Sequence, residues 1–146
     1  MKSKTIFIVL ILTVMFSCSE DDPSTLLKDS IIDSVKKGTW RITYFWDSDK
    51  DETNHFTGYN FTFGESDVLT ASNGTNTYTG TWSVTDSNSN DDSLDDLHFN
   101  ISFTAPPDFE ELSDDWDIIE QTSTKIRLTD VSGGGGGTDY LTFEKN

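Results

Sequence analysis

Gly38-Thr39-Trp40-Arg41-Ile42-Thr43-Tyr44-Phe45-Trp46 is the stretch whose reading decides the fold. Before it, Leu26, Leu27, Ile31, Ile32 and Val35 recur at helical spacing over residues 25–37, with Ser24 placed to cap the first turn and Gly38 to stop the last. From Gly38 the hydrophobic period drops to two, and Trp40, Ile42, Tyr44 and Trp46 alternate with Arg41, Thr43 and Phe45. Successive side chains of an extended strand point to opposite faces, so the alternation predicts a strand with one buried and one wet side. It also places Tyr44 and Trp46 on the same inward face as Trp40.

The same period returns further along the chain. Tyr59, Phe61 and Phe63 carry it, then Tyr78, Gly80, Trp82 and Val84, then Leu97, Phe99, Ile101 and Phe103. Shorter versions occur at Val68, at Trp116 with Ile118, at Ile126 with Leu128 and at Leu141 with Phe143. The turns between them are polar: Gly64-Glu65-Ser66-Asp67, the hairpin signal Asn73-Gly74, and the long acidic segment from Asp86 to Asp96. Ala105-Pro106-Pro107-Asp108-Phe109 must leave the sheet, because consecutive prolines cannot donate to a ladder. These eight short strands predict an all-β fold, an eight-stranded antiparallel up-and-down barrel preceded by a short helix. Closure is preferred because an open meander leaves two unpaired edges.

A barrel of this size has an interior just wide enough to be filled by its own side chains or to hold one small ligand. The inward set, with Trp40, Phe63, Phe99 and Phe103 beside Tyr44, Trp46, Tyr59, Phe61, Tyr78 and Trp82, is bulky enough to favour a packed centre. The last six are the candidate contacts for a small apolar or sugar-like ligand entering the open end.

Towards the start of the chain, Lys2 and Lys4 precede an apolar run from Ile6 to Phe16, shorter than the about 20 residues that span a bilayer. The run meets Ser17 and then Cys18, the sole cysteine. Met15-Phe16-Ser17-Cys18 resembles the lipobox of bacterial lipoproteins, in a loose form typical of Bacteroidota. The resemblance implies cleavage before Cys18, lipidation of its thiol and anchoring to a membrane. Ser19-Glu20-Asp21-Asp22-Pro23 resembles the acidic tag that directs such lipoproteins to the cell-surface side of the outer membrane. The expected organisation is a signal peptide over residues 1–17, an acidic tether over 18–24, a helix over 25–37 and one barrel domain over 38–146.

Loss of residues 1–17 removes Lys2 and Lys4 and leaves 8 basic and 26 acidic side chains, a formal charge of -18. Such a field disfavours nucleic acid and anionic lipid headgroups as partners. With Cys18 taken by the anchor, no thiol remains for catalysis or a disulfide. His55 and His98 sit in a polar loop and on a wet strand face, without a nucleophile beside either, so the chain reads as no enzyme and as needing no cofactor. Asp47, Asp49 and Asp51 have the one-three-five spacing of a calcium loop, but Glu52 stands where that loop needs glycine; they are weak metal candidates beside a solvated turn. The run Gly133 to Gly137 is followed by no Lys-Ser or Lys-Thr and reads as a loose hairpin.

The layout as a whole is similar to the small lipocalin-like domains of Bacteroidota lipoproteins. The residues that carry this are Gly38-Thr39-Trp40, a second Gly80-Thr81-Trp82, Leu97-His98-Phe99, Trp116-Asp117-Ile118, Lys125-Ile126-Arg127-Leu128 and Leu141-Thr142-Phe143. The resemblance implies that Trp40 seals the closed end of the barrel, where lipocalins stack an Arg of the last strand on that Trp; no such Arg follows here. Two functional readings stand. One is a non-catalytic surface module binding a small apolar or sugar-like ligand; the other is a structural or envelope-interaction lipoprotein with a filled barrel.

Overall fold

The computed structural model describes residues 23–87, 93–132 and 137–146. The expected signal segment, Cys18 and the tether up to Asp22 lie outside the described residues, as do residues 88–92 of the acidic segment and 133–136 of the glycine run. Helix α1 (Pro23–Val35) is followed by β1 (Trp40–Asp47), β2 (Lys50–Asp51), β3 (Asn60–Phe63), β4 (Val68–Ser72), β5 (Thr77–Asp86), β6 (Leu97–Ser102), β7 (Asp114–Gln121), β8 (Lys125–Val131) and β9 (Thr138–Lys145). A one-turn 3-10 helix (Thr53–Phe56) precedes β3, and a single α-helical turn, α2 (Pro107–Glu110), stands between β6 and β7.

Each long strand pairs antiparallel with the next, and β9 returns to β1 in a register running from Trp40↔Lys145 to Trp46↔Tyr140. The eight long strands therefore close into an up-and-down barrel, as the period of two requires; β2 is a two-residue return against the end of β1. Asn73-Gly74 turns β4 into β5 as expected, with Gly74 at φ 85° and the Asn73 side chain accepting from the Thr75 and Asn76 amides.

The helix lies against the end of the barrel where β1 starts. It begins at Pro23, so Ser24 falls within its first turn; proline's fixed φ suits a first helical position, where its missing N–H is no loss. Ile31 and Val35 are fully buried. The Trp40 indole donates to the Val35 carbonyl at 2.8 Å, and the Lys145 ammonium stands 4.8 Å over the same ring. Gly38 joins helix to strand at φ +84°, a conformation that side chains with a Cβ rarely adopt. Gly80 serves differently: a Cβ there would overlap the Ser102 carbonyl oxygen and lie 2.8 Å from the Phe103 ring, so β5 and β6 approach this closely only because nothing projects between them.

One expectation is corrected. In β1 the register passes from Ile42↔Phe143 to Tyr44↔Thr142, leaving Thr43 as an extra, bulged residue. Because the side-chain period is two, one extra residue exchanges the faces for everything beyond it. Phe45 is consequently fully buried, whereas Tyr44 is 40% exposed and Trp46 follows it onto the outer face. A second bulge in β7, between Ile118 and Glu120, leaves Ile119 on the outside.

Asp114 at the start of β7 has its carboxyl raised above the ordinary carboxylate value, first by burial and further by neighbouring Asp130 and Asp115, although the Asp115 amide bonds it at 2.8 Å. The folded chain thus holds this proton more tightly than the unfolded chain, and folding stability falls as pH rises through the native Asp114 titration. Asp114→Asn removes that loss. The variant should exceed the parent in urea midpoint at pH 7 and converge with it below the ordinary Asp range; equal differences at both pH values would contradict the assignment.

Candidate functional site

The end of the barrel opposite α1 is where a ligand would enter, and two short elements occupy it. After β2 the chain makes the 3-10 turn Thr53–Phe56, held by the Phe45 amide donating to Thr53 Oγ1 at 2.8 Å and by the Glu52 amide donating to the Phe45 carbonyl at 2.9 Å. This turn drives Phe56 inside, 5.5 Å from Phe45. From the other side, the proline-led exit of the chain from β6 forms α2 and delivers Phe109, 2% exposed. The Phe109 ring lies 5.3 Å from Phe56, 5.0 Å from Tyr59, 4.8 Å from Tyr78 and 5.2 Å from Phe103. Phe109 is thus a stopper. Sequence reading placed its segment outside the sheet but gave it no inward role; a lone aromatic after two prolines was the available signal.

The six candidate ligand contacts do not share one pocket. Phe61 is fully buried at the barrel axis, against Phe143 at 5.3 Å. Trp82 is 5% exposed and donates its indole N–H to the Gly64 carbonyl, near the α1 end. Tyr59 and Tyr78 lie at the stopper, 5.9 Å apart, and the Tyr78 phenol is pushed above its ordinary value, first by its hydrogen bond with Tyr59. Tyr44 and Trp46 are on the outer wall. Tyr44 lines a groove of about 310 Å³ there with Ile119, Arg127, Tyr140 and Glu144, beside both bulges.

The weak metal candidates Asp47, Asp49 and Asp51 form no ligand cluster among the described residues. Asp47 accepts from the Ser48 hydroxyl, Asp51 accepts from the Thr53 amide, and the Thr53 hydrogen bonds hold the Asp51 carboxyl below its ordinary value. Asp49 sits at φ 68° in the tight return between β1 and β2. A different set converges at the stopper: ligating atoms of Glu52, His55 and Glu111 all lie within 4.8 Å of one another. Glu52 precedes the 3-10 turn and His55 lies within it, with His55 Nδ1 3.9 Å from Glu52 Oε2, and Glu111 follows α2 as its C-cap. The His55 Nδ1 atom is buried without a hydrogen-bond partner. Partial burial pushes the Glu111 carboxyl up to about 7, with added contributions from its hydrogen bond to Glu52 and from the charges of Glu52, Asp47 and Asp108. This grouping was invisible in sequence, since Glu111 is remote from the other two along the chain. His98 Nδ1 is likewise buried without a hydrogen bond, and stands 3.1 Å from Asp117 Oδ1 across the strands.

No protein-family model matches the chain. No curated protein matches it either. Among solved structures it is similar to the crystal structure of a DUF4847 family protein from Bacteroides vulgatus ATCC 8482, with 19% sequence identity, a TM-score of 0.47, and coverage of 77% of this chain and 94% of that chain.

Removing the stopper tests its weight. Phe109→Ala should cost about 3–5 kcal/mol of unfolding free energy, the usual loss for a large core aromatic, and should open the mouth to an apolar dye. A loss below about 1 kcal/mol in urea denaturation would show that Phe109 does not carry the packing of this end.

Proposed function

We propose that the chain is a lipid-anchored lipoprotein, held by Cys18 at the outer membrane with its barrel exposed at the cell surface, and that it works through its outer wall as a structural or envelope-interaction module. The observation that carries this reading is the filled interior. Trp40, Phe45, Phe61, Phe63, Phe99 and Phe143 are each at most 1% exposed, Phe56 and Phe109 close the mouth, and α1 lies across the other end. A ligand carrier of this size needs the space those rings occupy. No catalytic role is assigned.

The lipocalin-like reading draws support from Trp40 at the α1 end. The last strand supplies no arginine there, but Lys145 brings a cation over the indole, and the helix carbonyl takes its N–H. The anchor rests on the apolar run ending at Cys18 and on the acidic residues after it. Two acyl signals or more make such anchoring durable, where one chain gives only marginal binding.

The second reading, a module for a small apolar or sugar-like ligand, is favoured by one feature, the outer groove between Tyr44 and Tyr140. Native mass spectrometry of the purified protein separates the two. The filled-barrel reading expects the bare polypeptide mass plus its lipid, and a stoichiometric co-purifying small molecule would overturn it. In the same preparation, Cys18→Ala should move the protein from the membrane to the soluble fraction; retention in the membrane would refute the anchor.

A further inference from the structure

We infer that Glu52, His55 and Glu111 form a binding site for a divalent transition-metal ion of the zinc type, bridging the 3-10 turn and α2 across the mouth of the barrel. The donor set is one imidazole nitrogen and two carboxylates, which suits a borderline ion; three protein ligands leave one position for water or an incoming group. Calcium and magnesium prefer all-oxygen sets with more ligands, which this cluster does not offer.

The geometry brings the donors together for a reason outside the cluster itself. Phe56 and Phe109 pack edge to face at 5.3 Å, so the turn carrying His55 and the helical turn leading to Glu111 are locked side by side. The His55 amide donates to the Glu52 carbonyl at 3.0 Å, which fixes the i, i+3 relation of those two ligands. Donors at 2.0–2.2 Å from a common tetrahedral ion stand about 3.4 Å apart. The observed separations, up to 4.8 Å with 3.9 Å between His55 Nδ1 and Glu52 Oε2, are wider than that value by about 0.5–1.4 Å, so binding requires the donors to draw in around the ion.

Two features leave the site short of a cation. Among the described residues neither Glu52 nor Glu111 has a lysine or arginine within ion-pair distance, while Asp47 and Asp108 add negative charge at Glu111. The nearest charged group to His55 Nδ1 is the Glu52 carboxylate at 3.9 Å, beyond hydrogen-bond reach, so the nitrogen is open to an ion placed between the two. A metal ion satisfies both at once, and it would tie residues 52–55 to residue 111 around the Phe109 stopper.

The test is calorimetric titration of the purified full-length protein, carrying no histidine tag, with zinc chloride. One saturable site per chain is expected. His55→Ala and Glu111→Gln should each weaken it by at least about tenfold, the usual effect of disturbing a metal site. His98→Ala, which removes the other histidine, should leave the affinity unchanged, and millimolar calcium should not displace the zinc. Glu111 is exposed and its replacement isosteric, so this variant keeps its fold, which far-UV circular dichroism checks. An isotherm unchanged by His55→Ala and Glu111→Gln, non-saturating uptake spread over the acidic surface, or loss of the site in His98→Ala would each overturn the inference.

Discussion

Eight strands closed on themselves enclose a bore of fixed width, and the rest of this structure follows from how that bore is filled. The rings of Phe61, Phe63 and Phe143 meet near the axis at 5.3–5.5 Å in edge-to-face contacts, an arrangement aromatic pairs prefer to flat stacking. The walls alone do not complete the packing. Phe56 and Phe109 arrive from irregular segments and α1 contributes Ile31 and Val35, so both ends are sealed by residues outside the sheet. A centre built this way leaves the outer wall and the mouth as the places where chemistry can happen.

The sequence carried the fold because both of its periods are physical signatures of backbone geometry. The helical spacing of Leu27, Ile31 and Val35 and the alternation through Trp40, Phe61, Trp82 and Phe99 read correctly onto α1 and the strands. What escaped was anything that depends on a neighbouring strand. The bulge at Thr43 exists only in the pairing of β1 with β9, and alternation along β1 cannot show that Phe45 and Tyr44 have exchanged faces. The candidate ligand contacts suffered accordingly, since two of the six lie beyond that bulge. Likewise, the meeting of Glu52, His55 and Glu111 is produced by two rings packing in three dimensions, for which no local pattern exists.

Identical letters also conceal different causes. Gly38-Thr39-Trp40 and Gly80-Thr81-Trp82 look like a repeat, yet Gly38 is required by its backbone angle and Gly80 by the approach of another strand. The two tryptophans differ as well: Trp40 donates to the helix and lies under Lys145, while Trp82 donates across to the turn at Gly64. Position in the barrel, not the triplet, sets each role.

The pairing of β1 with β9 has a bearing on the order of events as the polypeptide is made. Every other strand can find its partner as soon as the next hairpin emerges, because neighbours in sequence are neighbours in the sheet. The seam between residues 40–46 and 140–145 joins opposite ends of the domain, so among the strand pairs it carries the largest loop-closure cost. Until it closes, β1 presents an unpaired edge, the kind of template on which chains misassemble. Arg41, together with the packing of Trp40 beneath α1, leaves that edge charged at one position and occupied on one side.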